Sequence, residues 1–147
     1  KPDTNGSHPE VVAELIERDL IQAAAVDIKA PLEPIPYRRN GGPRADPAQV
    51  RRTLGLLAAS SAQVFTRTTV HPMLLSKPEC VRLLMQVWDI FGPDVEHTWQ
   101  RCRTEDPLDE KLRASATLPQ ESFKLWRGEI ESEAARLARP ALTGSGG

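Results

Sequence analysis

The sequence predicts an α/β fold made of four βα units with parallel strands, either a half (partial) TIM-type barrel or a small open sheet. Short apolar segments typical of strands alternate with amphipathic segments typical of helices along the chain. Such alternation requires parallel strands joined by right-handed crossovers. Four units in 147 residues are too few to close an eight-stranded barrel, which takes about 250 residues. At least one edge strand is therefore left to be covered.

The first unit begins with the end of a strand and a turn, at Lys1 to Gly6. A helix is expected directly afterwards. Ser7 is placed to cap it, with Pro9 in the first turn and Glu10 three residues after Ser7, as in a capping box.

The second strand is predicted over Ala23 to Pro31. Side chains of a strand alternate between its two faces, so Asp27 and Lys29 share one face while Val26 and Ile28 point into packing on the other. In βα folds ligands bind at the carboxyl ends of the strands, where this pair is expected. The pair is therefore either part of a ligand site or a structural ion pair.

The segment from Leu32 to Ala45 is expected to be a loop, either a lid over a site or an ordinary surface excursion. Its prolines and glycines leave little room for regular structure: Pro34, Pro36, Gly41, Gly42 and Pro43. A helix follows, capped by Asp46 with Pro47 in its first turn.

The third unit combines a strand at Gln63 to Val70, rich in β-branched residues, with a helix. Ser76 and Glu79 predict a capping box at the start of that helix, and Gly92 ends it.

The fourth unit begins with a strand at Val95 to Arg103 and ends with a helix opening at Thr117. His97 and Trp99 share one face of the strand. The helix is expected to bury one apolar stripe: Phe123, Trp126, Ile130, Ala134 and Leu137.

The composition, 39% apolar and 27% charged, is that of one soluble domain, expected over residues 1–139 with a flexible tail at 140–147. A net charge of -1, with arginines scattered among acids, gives no case for a nucleic-acid or membrane partner. No apolar run reaches the length of a membrane span, so a cytoplasmic protein is expected. The chain starts without Met, which leaves open that it is a piece of a longer protein.

The cysteine and histidine positions fit no disulfide framework and no zinc site. Cys80 and Cys102 lie far apart and are expected to be free thiols. The three histidines are dispersed along the chain: His8, His71 and His97.

Three motifs in register on consecutive strands resemble the C-terminal half of radical S-adenosylmethionine activating enzymes. They are Asp3-Thr4-Asn5-Gly6 before a helix, the segment from Val26 to Leu32, and the segment from Phe65 to Val70. The similarity is greatest to activators of anaerobic ribonucleotide reductase, with pyruvate formate-lyase activators as near relatives. It extends from Lys1 to about Arg103 and is weaker toward the C-terminus.

The resemblance implies that S-adenosylmethionine lies across the carboxyl ends of the strands. Lys29 would then pair with the cofactor's carboxylate, and Arg67 would face the pocket from the next strand. Two acids and a hydroxyl would help hold a monovalent cation beside that carboxylate: Asp3, Thr4 and Asp27. Arg103 stands where relatives place another polar contact to the cofactor. No catalytic residue is implied.

The sequence departs from this family in its cysteines. Such enzymes bind a four-iron four-sulfur cluster through three cysteines spaced Cys-x-x-x-Cys-x-x-Cys, and this chain has two cysteines at unrelated positions. The cluster would be available only if a missing N-terminal half were present. We therefore expect the 147 residues alone to be inactive in the radical reaction.

Three functions remain open. In the first, the chain is the C-terminal half of an activator, with a missing N-terminal half and a glycyl-radical enzyme as partners. In the second it is a non-catalytic half-barrel that binds a second copy, or another protein, along its open edge. In the third it is a small α/β module that binds an anionic metabolite through Asp27, Lys29 and Arg67.

Overall fold

The computed structural model describes residues 3–101 and 119–144, with side chains as far as residue 138. It contains four strands: β1 (Asp3–Thr4), β2 (Ala23–Asp27), β3 (Gln63–Val70) and β4 (Glu96–Arg101). It contains five helices: α1 (Pro9–Glu17), α2 (Pro34–Gly41), α3 (Pro47–Ala59), α4 (Lys77–Phe91) and α5 (Gln120–Gly144).

The four strands form one parallel sheet in the order β1-β2-β3-β4. Strand order therefore follows chain order, as it does around a βα barrel, whereas a doubly wound sheet reverses direction at a switch point. The α/β fold of four units in an open sheet, consistent with a partial barrel, is confirmed.

Four of the helices, α1, α3, α4 and α5, line one face of this sheet and pack side by side in chain order. Contacts join α1 to α3, α3 to α4 and α4 to α5. Val26 and Ile28 point toward this layer and are fully buried, together with Leu54 and Leu57 of α3. The hydrophobic core therefore lies between the sheet and the helix layer.

The other face of the sheet, the open face, carries side chains that alternate with the core residues. Strand register places these residues on it: Asp3, Ala25, Asp27, Phe65, Arg67, Glu96, Thr98 and Gln100. On β4, Glu96, Thr98 and Gln100 are exposed. In a closed barrel this face would be covered by the remaining strands.

The segment from Leu32 to Ala45 is not a loop, because residues 34–41 form α2. Pro34 and Pro36 are compatible with the helix because both lie in its first turn, where no amide hydrogen bond within the helix is needed. Tyr37, 2% exposed, anchors the helix on the core. Gly42, at φ 98°, ends it in a conformation that favours glycine.

The expected capping box at Ser7 is also wrong. The N-cap of α1 is His8, and no side chain caps the helix. The Ser7 hydroxyl instead donates to Oδ1 of Asn5 at 2.6 Å, and the Ser7 N–H donates to the same atom at 3.0 Å. This local turn competes with capping, as short polar side chains commonly do.

The two remaining caps were predicted correctly. Asp46 accepts from the N–H of Ala48 at the start of α3. Ser76 accepts from the N–H of Glu79, whose carboxylate accepts from the N–H of Ser76, so both halves of the capping box are formed on α4.

Replacing Ser76 with alanine is expected to lower the free energy of unfolding by about 1 kcal/mol, because an N-terminal amide of α4 loses its acceptor. Ser7→Ala is the matched control, since Ser7 caps no helix. Urea unfolding of both variants measures the difference. Equal losses of stability in the two variants would contradict the assignment of a capping role to Ser76 and of none to Ser7.

Helix α5 packs through Phe123, Ile130 and Ala134, which are buried, while Trp126 is partly buried. Leu137 was expected in the same stripe but is 42% exposed, because it lies at the rim of a groove between α4 and α5. The helix backbone continues to Gly144, and the tail at 140–147 stays a prediction. None of the helices in the described ranges has both the length and the apolar character to cross a bilayer.

Candidate ligand site at the carboxyl rim of the open face

Strand β2 ends at Asp27 rather than at Pro31, although the N–H of Ile28 still donates to the carbonyl of Arg67 at 2.8 Å. Beyond this point the chain leaves the sheet with Lys29 beside Asp27. Lys29 Nζ lies 2.5 Å from Oδ2 of Asp27. The lysine side chain is 41% exposed and the aspartate 21%, so both groups are accessible to solvent.

Helix α2 positions Lys29. The hydroxyl oxygen of Tyr37 accepts from the Lys29 N–H at 3.3 Å. The stem of Lys29 also passes beneath Gly41, where an added Cβ would lie 3.7 Å from its Cγ. The sequence does not single out Tyr37, because it lies in a segment rich in proline and glycine that predicts a loop; its one signal is a lone tyrosine between prolines.

Tyr37 stays protonated at physiological pH. Burial raises the pKa of its phenol to about 12, the negative charge of Asp27 also raises it, and the Lys29 N–H lowers it. The hydroxyl is therefore a neutral support for the backbone at Lys29 and does not act as a charged group in the site.

Arg67 comes from the neighbouring strand. It pairs with Asp27 in the β2–β3 register, so both side chains leave the same face of the sheet. Arg67 Nη1 lies 3.8 Å from Oδ1 of Asp3, with the arginine side chain 34% exposed and the aspartate 61%. Three neighbouring strands and the segment after β2 thus bring two acids and two bases to one rim, which we call the charged rim: Asp3, Asp27, Lys29 and Arg67.

Two further residues expected at this site are placed elsewhere or not described. Thr4 pairs with Val26 in the sheet and lies on the opposite face from Asp3. Its hydroxyl oxygen accepts from the N–H of Gly6 at 3.0 Å. Arg103 lies outside the described residues. Of the three side chains that the resemblance assigns to a monovalent cation, Asp3 and Asp27 lie on the open face and Thr4 does not.

The charged rim can recognise a zwitterionic ligand. Lysine and arginine bind carboxylates through charge-assisted hydrogen bonds, and aspartates bind ammonium groups or cations in the same way. Because all four groups are partly exposed, a ligand can reach them without a large desolvation cost.

The thiols of the chain do not fit an iron–sulfur cluster. The sequence has two cysteines, whereas the cluster implied by the resemblance is held by three. Cys80 is fully buried in α4, and burial raises the pKa of its thiol to about 12, with a further contribution from the charge of Glu79. Within residues 3–101 and 119–144, no group of three or more histidine, cysteine, aspartate or glutamate side chains could hold a metal ion.

On the helix-covered face, β4 carries a largely enclosed polar side chain, His97, to which the sequence assigns no function. His97 Nδ1 lies 2.7 Å from the Thr66 hydroxyl, and its ring makes an edge contact with Trp99 at 4.5 Å between centroids. Burial lowers the pKa of His97 to about 4. The imidazole is therefore neutral in the folded protein at neutral pH.

The stability of the chain is expected to fall when the pH is lowered from neutrality through 6.5 toward about 4. In that window the unfolded chain takes up a proton on His97 and the folded chain does not, so protonation favours unfolding. Burial lowers the pKa of His71 as well, which adds a contribution of the same sign. Thermal unfolding at several pH values measures the slope.

The variant His97→Phe keeps an aromatic ring against Trp99 and removes the titrating group. Its melting temperature is expected to depend less on pH than that of the unmodified chain. An unchanged pH slope would contradict the assignment of this dependence to His97.

No family model matches the sequence, but a known protein is similar to it over most of its length. Over 134 residues the chain is 28% identical to a protein of Methanocaldococcus jannaschii whose name describes it as a glycyl-radical enzyme activating enzyme; the match covers 88% of this chain and 53% of the relative. The chain thus spans about half the length of the curated relative it matches.

Proposed function

We propose that the chain is the C-terminal half-barrel of a radical S-adenosylmethionine protein that activates a glycyl-radical enzyme. Its open face would form one wall of the S-adenosylmethionine pocket. The observation that carries the proposal is the charged rim, which lies where the resemblance places the cofactor's amino-acid part. The similarity to an activating enzyme over 88% of the chain supports it.

The charges of the rim match those of S-adenosylmethionine, which has a carboxylate, an ammonium and a sulfonium. We assign Lys29 to the carboxylate, with Arg67 as a second cation on the same face, because both bases are partly exposed. Asp27 and Asp3 are left to bind the ammonium or a monovalent cation. Thr4 and Arg103 belong to the same proposal through the resemblance alone.

The opposite wall of the pocket would come from outside these residues. The similarity covers 53% of the relative, and the two cysteines do not fit the cluster. We assign the cluster to a missing N-terminal half, whose strands would cover the open face. In this family S-adenosylmethionine is the source of the radical, and a glycyl-radical enzyme is the partner that loses a hydrogen atom.

A second candidate function is a non-catalytic half-barrel that pairs with itself. The open face and the outer edges of β1 and β4 favour it, because exposed sheet surfaces are commonly covered by a second copy. Sedimentation equilibrium separates the two functions: a tight dimer that binds no S-adenosylmethionine would favour self-association.

The direct test is a titration of the isotope-labelled chain with S-adenosylmethionine, followed by NMR. Half of a pocket is expected to bind in the millimolar range, with shifts at the amides of Ile28, Lys29 and Arg67. The decarboxylated cofactor is the matched ligand, since it lacks the group assigned to Lys29. Equal binding of the two ligands, or shifts confined to other surfaces, would contradict the proposal.

A further inference from the structure

We infer that a cavity between α2 and the start of α3 is a second binding site, for a small molecule that carries a phosphate or diphosphate group. The cavity has a volume of about 430 Å³. Its lining combines three arginines and one acid, Asp46, with a mostly apolar floor: Arg38, Arg51, Arg52, Leu32, Pro34, Pro47 and Ala48. It does not include any residue of the charged rim.

The positive charge of this region is concentrated by the fold. Residues 34–52 contain five arginines and one acid, Asp46, although the whole chain has a net charge of -1. This segment is therefore more basic than the rest of the sequence, in which arginines are scattered among acids. In the structure, the chain turns between α2 and α3 and brings Arg38 to the same cavity as Arg51 and Arg52. Asp46 is already engaged, as its carboxylate accepts from the Ala48 N–H.

Two of these arginines differ from most of the other described arginines. Six described arginines have an acidic group within 4 Å: Arg18, Arg39, Arg52, Arg67, Arg82 and Arg136. Arg38 and Arg51 have no such partner among the described residues. Arg52 has only a 3.7 Å contact with the exposed Glu10. The cavity therefore presents guanidinium groups whose hydrogen bonds are available to a ligand.

The chemistry of the lining favours a phosphate. Guanidinium groups bind phosphate oxygens in a bidentate manner, and several arginines around one anion share its charge. A concave volume of about 430 Å³ is in the range of small-molecule pockets, and the prolines and Leu32 offer apolar contacts to the rest of the ligand. We favour a small molecule over an acidic protein segment because the arginines surround a cavity.

Calorimetric titration of the 147-residue chain with pyrophosphate tests the inference. The double variant Arg38→Gln/Arg51→Gln is expected to bind pyrophosphate about tenfold more weakly or worse, because two charge-assisted contacts are lost. Arg127→Gln is the matched control, since Arg127 is exposed on α5, outside the cavity lining, and also has no acidic partner among the described residues. All three side chains are exposed, so the variants are expected to keep the fold.

Unchanged binding by Arg127→Gln and weaker binding by the double variant would support the site. A nucleoside triphosphate that binds more tightly than pyrophosphate, and loses this binding in the double variant, would also support the site. Its nucleoside would then be assigned to the apolar floor of the cavity. Three results would overturn it: no binding of pyrophosphate, equal losses in both variants, or tighter binding of a glutamate-rich peptide that depends on Arg38 and Arg51.

Discussion

Replacing Lys29 with alanine is expected to weaken S-adenosylmethionine binding by about tenfold or more. The ammonium of Lys29 is assigned to the cofactor's carboxylate, and a hydrogen bond between charged groups is worth about 1.5 to 3 kcal/mol. Arg67 remains on the same face and is expected to preserve a residual affinity. NMR titration gives the two dissociation constants.

The same substitution is expected to change stability little. The Lys29 and Asp27 side chains are 41% and 21% exposed, so water screens the charge that the variant leaves on Asp27. Pairs exposed to this extent contribute less than about 1 kcal/mol. A large drop in melting temperature with unchanged binding would instead assign Lys29 and Asp27 to a structural ion pair.

Lys77→Ala is the matched control for this experiment. Lys77 also pairs with an acid, Glu129, and its side chain is 52% exposed. It lies at the start of α4, on the helix side of the molecule. Its replacement removes the same charge from the chain and is expected to leave cofactor binding unchanged.

The largest loss of stability at the end of β2 is expected from Ile28→Ala, the first residue after the strand, at about 2 to 5 kcal/mol. Ile28 is fully buried and faces the helix layer, so the substitution removes apolar contacts and leaves a cavity. The residue lies between Asp27 and Lys29 but points to the other face. Urea unfolding measures the loss.

Leu125→Ala makes a similar chemical change at a position that is 70% exposed. Its effect is expected to stay within about 0.5 kcal/mol. A small loss for Ile28→Ala, comparable with this control, would mean that the alternation along β2 is shifted by one residue, and the charged rim would then face the helices.

The order of elements could be predicted because hydrophobic periodicity determines it. The alternation along Ala23 to Ile28 specifies which side chains enter the core, and the parallel βα pattern then brings Asp27 and Arg67 to one face. Capping at Asp46 and Ser76 was also predictable, since each has a proline in the first helical turn and no competing local acceptor.

Two features could not be predicted because they depend on tertiary contacts. Helix α2 forms within a segment rich in proline and glycine because Tyr37 is buried against the core and its hydroxyl accepts from Lys29. The arginines of residues 34–52 converge because α2 brings Arg38 next to α3. Neither contact leaves a periodic signal in the sequence.

The most direct test of the central claim is a cycle of four dissociation constants. The unmodified chain and Lys29→Ala are each titrated with S-adenosylmethionine and with its decarboxylated form. If Lys29 binds the carboxylate, removing the carboxylate weakens binding to the unmodified chain much more than it weakens binding to the variant, in which Arg67 alone is left to meet it. If the losses of binding free energy from the two changes simply add, the Lys29 ammonium does not contact the cofactor's carboxylate, which would contradict the proposed site.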